Sequence, residues 1–226
     1  MIKKDIDVVV LSYTKNDKFY TMTRHCIESL HESETDWQFK VHLVETSKNL
    51  GAFNYNDIVH RVIQPPVEFN YNLYLNQALP DCNSEYVVIL NNDVLCHKGW
   101  FSEMVDKINE NKFDSASPKC PRWEAHRPYD TGVVPGFDSG IHFCGWCLVL
   151  TQETLKHIMP LDETFSFWFQ DNDLAQYLRC TKKRHALITS SFVTHLESQS
   201  HELLDSKDKI QKTYGLRQAF ADKWGM

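Results

Sequence analysis

Long apolar runs are missing from the 226 residues. A membrane-spanning helix needs roughly 20 consecutive apolar residues, and the mean hydropathy is -0.44. The opening stretch MIKKDIDVVVLSY holds two lysines and one short apolar run but no small-residue cleavage site. It reads as a first strand rather than an export signal, which sets the expectation of a cytoplasmic protein without a membrane span. Positive charge is not in excess either: the net charge is -6. A protein that grips nucleic acid with its whole surface shows the opposite sign, so only a local basic patch is left open. Cysteines are odd in number, seven, which with no export signal reads as free, reduced thiols. Glycine is missing from SYTKNDKF, the segment after the first strand. A nucleotidyltransferase-like enzyme with a glycine-rich phosphate loop there is disfavoured. Internal repeats and low-complexity tracts are also lacking.

What remains is an ordinary globular composition, 42% hydrophobic and 24% charged, of a length that suits one domain over 1–226. Apolar runs predict strands at Asp7–Tyr13, Phe39–Glu45, Tyr86–Leu90, Cys147–Leu150 and Ala186–Val193. The first and third lack polar alternation, the pattern of parallel strands buried on both faces. Helical spacing links Phe19, Met22, Cys26 and Leu30, and again Phe101, Met104, Val105 and Ile108. A third helix starts near Asp173, and a fourth candidate, Leu203–Phe220, is interrupted by Gly215. Strands alternating with helices predict an α/β fold with a mostly parallel sheet. Residues 111–145, rich in proline, glycine and aromatics, read as a loop-rich insert over the ligand crevice, and 202–226 as a helical appendage.

Three segments carry candidate chemistry. In EYVVILNNDV a buried strand delivers Asn91, Asn92 and Asp93 to its carboxyl end. Oxygen ligands there suit magnesium or manganese, which also bind phosphate oxygens, although Asn and Asp equally make plain turns. In LDETFSFWFQDNDLAQYLR, Asp173 fits a helix N-cap. Asp171 follows an aromatic run, and a carboxylate beside apolar rings is a competent general base. In ALITSSFVTHLESQSH, His195 ends a strand and is a candidate imidazole ligand for the Asp93 metal. Cys144 and Cys147 form a C-x-x-C that enters a strand, a poor setting for redox chemistry. A zinc site there would need a second pair, for which Cys120 and His142 are the loose option. Lys119, Arg122, His126 and Arg127 cluster around Trp123 and Tyr129. Such a run is either a solvated face or a grip on a polyanion or base.

In order and spacing these segments resemble the family 2 glycosyltransferases of the GT-A fold. The strand ending in NND matches the family's Asp-x-Asp-like motif, QDNDL its acidic pair at a helix start, and His195 its histidine on the final strand. VVVLSYTKND resembles the family's opening. FNYNLYLNQALPDCNSEYVVILNND and CGWCLVLTQETLKHIMPLDETF resemble the runs that lead into the two acidic segments, so the likeness spans about residues 5–200. It implies an inverting transfer of sugar from a nucleotide-diphosphate sugar, most readily a UDP-sugar, with Mn2+ or Mg2+ held by Asp93 and His195 and with Asp171 as base. Ser12, Glu45, Asn76, Asn91, Asn92, Asp93 and Trp146 fall where the family contacts its donor. The sequence departs from the family at Asn91 and Gln170, where acidic residues are usual, so Asp93 carries most of the metal's charge. Style and size also resemble bacteriophage enzymes that glycosylate hydroxymethylated bases in DNA, which would place the protein in the host cytoplasm. Arg122, Trp123 and Arg127 are the acceptor contacts that this reading expects. Polysaccharide or lipooligosaccharide synthesis is the competing acceptor class.

Overall fold

The computed structural model describes residues 3–48, 50–130, 132–196 and 206–226, the last with side chains from 215 onward. Its centre is a nine-stranded sheet. The strands are β1 (Lys4–Ser12), β2 (Trp37–Glu45), β3 (Arg61–Ile63), β4 (Tyr86–Asn91), β5 (Val94–Cys96), β6 (Ser115–Lys119), β7 (Val133–Pro135), β8 (Cys147–Thr151) and β9 (His185–His195). They lie in the order β3-β2-β1-β4-β8-β6-β9-β5, with β7 paired to β9. Pairings among β1, β2, β3 and β4 are parallel, as is β6 with β9. β8 runs antiparallel to both neighbours, so it belongs to the minority direction.

Side-chain alternation on the two apolar strands builds two cores. Val8 and Val10 of β1, with Val88 and Leu90 of β4, face α1 (Asp17–Glu32) and α3 (Trp100–Asn111). Val9 and Leu11, with Val87 and Ile89, face α2 (Tyr71–Ala78), α4 (Gln152–Ile158) and α5 (Gln170–Cys180). A period of two buried on both sides is the expected consequence of parallel strands covered by helices. The helical spacing holds too: Phe19, Met22, Cys26 and Leu30 are all buried on α1. Asn16 caps that helix, accepting from the Phe19 N–H at 3.2 Å.

Three expectations need correction. The 111–145 stretch is not simply an inserted loop, because SASPK forms β6, buried throughout and wedged between β8 and β9. Small residues fill a slot where neighbouring strands supply the apolar bulk. Gly215 does not interrupt the last helix: α6 (Ser206–Trp224) runs through it. One interior glycine costs about 1 kcal/mol, which docking of the helix end offsets. Residues 202–205 of the expected appendage lie outside the described residues. Asp173 is not the N-cap of α5; Phe169 holds that position, in a left-handed conformation with φ 64°.

Away from the carboxyl edge, Asp7 anchors the sheet to the loop before β4. It accepts from the Asn83 and Ser84 N–H groups at 2.7 and 3.0 Å, from Ser84 Oγ at 2.7 Å, and pairs with His42 Nε2 at 2.8 Å. Burial alone would raise its pKa. The hydrogen bonds from His42, Ser84 and Asn83 outweigh burial and hold the carboxyl well below the usual range. A depressed folded pKa contributes stability that is present above the unfolded value of about 4 and lost as pH falls below it. Asp7→Asn keeps one oxygen for the Asn83 and Ser84 N–H groups but sets an amide NH2 against the His42 Nε2–H, because His42 Nδ1 already accepts from Arg61 Nε. It is expected to cost about 1–3 kcal/mol and to flatten that acid-side loss. Urea unfolding from pH 6 down to pH 3 checks both.

Candidate active site

Parallel strands bring their carboxyl ends to one edge, where open α/β sheets hold their ligands. Ser12 lies beside Glu45 in register, and Leu11 beside Asn91. The Asn91 N–H donates to Trp146 O at 2.9 Å, which seats the turn before β8 against the end of β4. Val94 pairs with His195, so the antiparallel β5–β9 ladder sets His195 next to Asp93. Leu196 N–H closes on Asp93 O at 2.9 Å.

At the centre of this edge Asp93 Oδ1 and His195 Nε2 stand 3.3 Å apart, with side-chain exposures of 9% and 12%. The Trp146 ring stacks on the His195 ring, with centroids 5.3 Å apart and planes 13° apart. Asp93 Oδ1, Trp146 Nε1 and His195 Nδ1 are buried without a hydrogen-bond partner among the described residues. A buried polar atom without a partner costs about 1–3 kcal/mol, more for a carboxylate. Asp93 Oδ1 and His195 Nε2 facing one another fit a divalent cation, which would satisfy the orphaned carboxylate oxygen.

Asp171 flanks the same turn from the other side. It sits in the first turn of α5, where the helix dipole favours negative charge. Ser139 Oγ donates to its Oδ2 at 2.6 Å and the Asn172 N–H to its Oδ1 at 2.9 Å. Gly145 makes room for it: a Cβ there would stand 3.0 Å from Asp171 Cβ. Burial, and then the Asp171 charge, push the Tyr71 hydroxyl up, and Tyr71 OH donates to Gly145 O at 3.3 Å. Gly145 therefore touches Asp171, and its neighbour Trp146 touches His195. Gln170 Oε1, beside Asp171, is a further buried acceptor without a partner among the described residues.

Other expected contacts turn inward. Asn76 does not face the edge. Its amide takes the Leu161 N–H at 2.9 Å and donates to Leu161 O and Glu163 Oε1, which clamps α2 to the 161–163 turn. Asn92 donates to Thr23 Oγ1 at 2.9 Å, and Ser12 Oγ shares that hydroxyl at 3.1 Å. Glu45 accepts from Thr14 N–H, Thr14 Oγ1 and Ser47 N–H, holding the loops after β1 and β2 together. These residues shape the edge from behind, and Asn91 is left half-buried upon it.

The basic cluster dissolves. Lys119 is buried and its Nζ donates to Tyr129 O. His126 is fully buried, taking the Cys120 N–H at Nδ1 and meeting Ile141 O at Nε2, and burial pushes its pKa down to about 4. Trp123 spends its N–H on Gly140 O at 2.6 Å. Only Arg122 and Arg127 are exposed, and Arg127 lies 3.8 Å from Glu124. Six of the cysteines are buried and Cys180 is exposed, all as free thiols.

Asp7, His42 and Cys82 also bring ligand-type atoms within 4.8 Å of one another. They do not fit a cation: Asp7 is saturated, and His42 spends one ring nitrogen on Asp7 and the other on Arg61 Nε at 2.7 Å. The group also lies roughly 16 Å down β1 from Ser12, at about 3.3 Å per residue.

No helix among the described residues is long and apolar enough to cross a membrane. No curated protein matches the sequence. Among solved structures the chain is similar to a crystal structure of GalNAc-T7 with UDP, GalNAc and Mn2+. The identity is 9% and the TM-score 0.65, over 84% of this chain and 43% of that one. The chain thus spans less than half the length of that relative, and the fold the two share is GT-A. The family model described as Glycosyl transferase family 2 matches residues 7–133, more than half of the sequence. The protein belongs to glycosyl transferase family 2, a family of nucleotide-sugar-dependent transferases.

Proposed function

We propose that the protein transfers a sugar from a nucleotide-diphosphate sugar, a UDP-sugar by analogy with the ligand of GalNAc-T7, to an acceptor hydroxyl with inversion. The observation that carries this reading is the group of Asp93 Oδ1, Trp146 Nε1 and His195 Nδ1 at the carboxyl edge, buried without a hydrogen-bond partner among the described residues. Asp93 and His195 would hold Mn2+ or Mg2+, which when bound neutralises the donor diphosphate. Trp146 Nε1 offers a hydrogen bond to the donor beside them. Asp171, oriented by Ser139 and Asn172, takes the proton from the acceptor hydroxyl. The acceptor oxygen attacks the anomeric carbon as the bond to the diphosphate breaks on the opposite face. Asn91 in place of an acidic residue leaves one carboxylate at the cation, so metal affinity is modest and set by Asp93.

For the acceptor we favour a glycan hydroxyl over a hydroxymethylated base in DNA. Lys119, His126 and Trp123 are committed internally, which leaves two exposed arginines where a duplex reader needs several contacts. The test is a panel of nucleotide-diphosphate sugars with Mn2+, followed by UDP release and by transfer to oligosaccharides or to hydroxymethylcytosine DNA. Metal-dependent UDP release with one donor is expected. Failure to bind or cleave every donor overturns the reading, and transfer to DNA alone overturns the acceptor choice.

A further inference from the structure

The end of α6 is bolted onto the segment that carries Asp171. Lys223 Nζ bridges Asp162 Oδ2 at 2.8 Å and Asp173 Oδ2 at 2.9 Å. Trp224 Nε1 donates to Asp173 Oδ1 at 2.8 Å. Both oxygens of a carboxylate with 8% side-chain exposure are thus taken up by two consecutive residues some fifty positions away in the chain. Above them, the Phe220 ring lies 5.4 Å from that of Phe169 and 6.2 Å from that of Phe165. Phe169 is the left-handed residue that opens α5. A non-glycine residue with φ 64° persists only where its surroundings hold it. Asp171 sits between these anchors, two residues after Phe169 and two before Asp173.

We propose that the C-terminal helix is a positioning element for the base, with Lys223, Trp224 and Phe220 fixing the first turn of α5 so that Asp171 meets the acceptor hydroxyl. This rests on the reading of Asp171 as the base. Neither Lys223 nor Trp224 touches Asp171; both act through Asp173, and the packing of Phe220 on Phe169 sets the entry of the turn. The geometry has a purpose beyond holding the fold together. Among the described side chains of α6, those of Phe220, Lys223 and Trp224 meet Asp162, Phe165, Phe169 and Asp173, and the last two of these flank Asp171.

The test uses the full chain with Lys223→Met, Trp224→Phe and the conservative Lys223→Arg, read as UDP release from the best donor with Mn2+ and as donor affinity by calorimetry. Lys223→Met is expected to lower kcat roughly 10- to 100-fold, the scale of a misplaced catalytic group, with donor affinity unchanged and with partial rescue by Lys223→Arg. Trp224→Phe keeps an aromatic ring and loses the indole N–H to Asp173, so it reports the same effect if Lys223→Met fails to fold. The decisive arm repeats each substitution in an Asp171→Asn background. If the helix acts through the base, the further loss in rate disappears there. An equal fractional loss in both backgrounds shows a general loosening and overturns the proposal, as does full kcat in Lys223→Met and Trp224→Phe. Asp171→Asn with normal turnover would instead overturn the assignment of the base itself.

Discussion

Asp171→Asn is expected to lose between about 10² and 10⁴ of turnover, the usual contribution of a general base, equal to about 2.7–5.5 kcal/mol in the barrier. Donor affinity should be unchanged. The substitution is close to isosteric, and its hydrogen bonds can be kept. An amide oxygen still accepts the Asn172 N–H, and the Ser139 hydroxyl, which donates to Oδ2 at 2.6 Å, can rotate to accept from an amide nitrogen. What is removed is the capacity to take a proton. Rapid-quench or steady-state UDP release beside a calorimetric titration of the donor separates the two effects. Near-normal turnover would mean that another group is the base. Asp173, next along the helix, is poorly placed for that, since Lys223 and Trp224 occupy both of its oxygens.

The legible parts of this molecule are those where one local pattern suffices. VVVLS and YVVIL are apolar without alternation, and β1 and β4 are buried on both faces between parallel or antiparallel neighbours. The strand-end position of Asp93 followed from YVVIL and that of His195 from ALITSSFV, and the β5–β9 ladder is what adds their proximity. The family match ends at residue 133, so Asp171 and His195 come to the site through the fold rather than through the matched region. β6 was illegible because SASPK has neither apolar bulk nor period, and its burial is supplied by β8 and β9. Likewise β3, β5 and β7 have three residues each, too few to show a pattern. Side-chain direction was also beyond reach. Asn76 lies on α2, but it points to the 161–163 turn because a nearby backbone N–H and C=O can satisfy both ends of its amide. The same holds for Lys119 and His126, whose polar atoms find backbone groups inside the loop, Tyr129 O for Lys119 and the Cys120 N–H and Ile141 O for His126. The partnership of α6 with Asp173 joins segments fifty residues apart and leaves no periodic trace.

Asp93→Ala is expected to abolish metal-dependent donor binding, a loss on the order of 10²-fold or more, or about 2.7 kcal/mol, while the fold survives. Asp93 is the one carboxylate facing His195 among the described residues, because Asn91 and Asn92 bring no charge and Asn92 is turned toward Thr23. An imidazole ligand is neutral when it binds a metal, so His195→Ala should weaken the same binding less. Stability should move the other way. Oδ1 of Asp93 is buried without a hydrogen-bond partner among the described residues. Deleting it removes a desolvation cost and breaks no hydrogen bond of that atom, so the melting temperature in the absence of metal is expected to hold or rise. Calorimetric titration of UDP with and without Mn2+, beside thermal unfolding of the metal-free proteins, reads both quantities. Unchanged affinity would remove Asp93 from the metal site. A large fall in melting temperature would show that its carboxylate supports the turn rather than the cation. Lost affinity without lost stability is the signature of a group held out of solvent for its ligand.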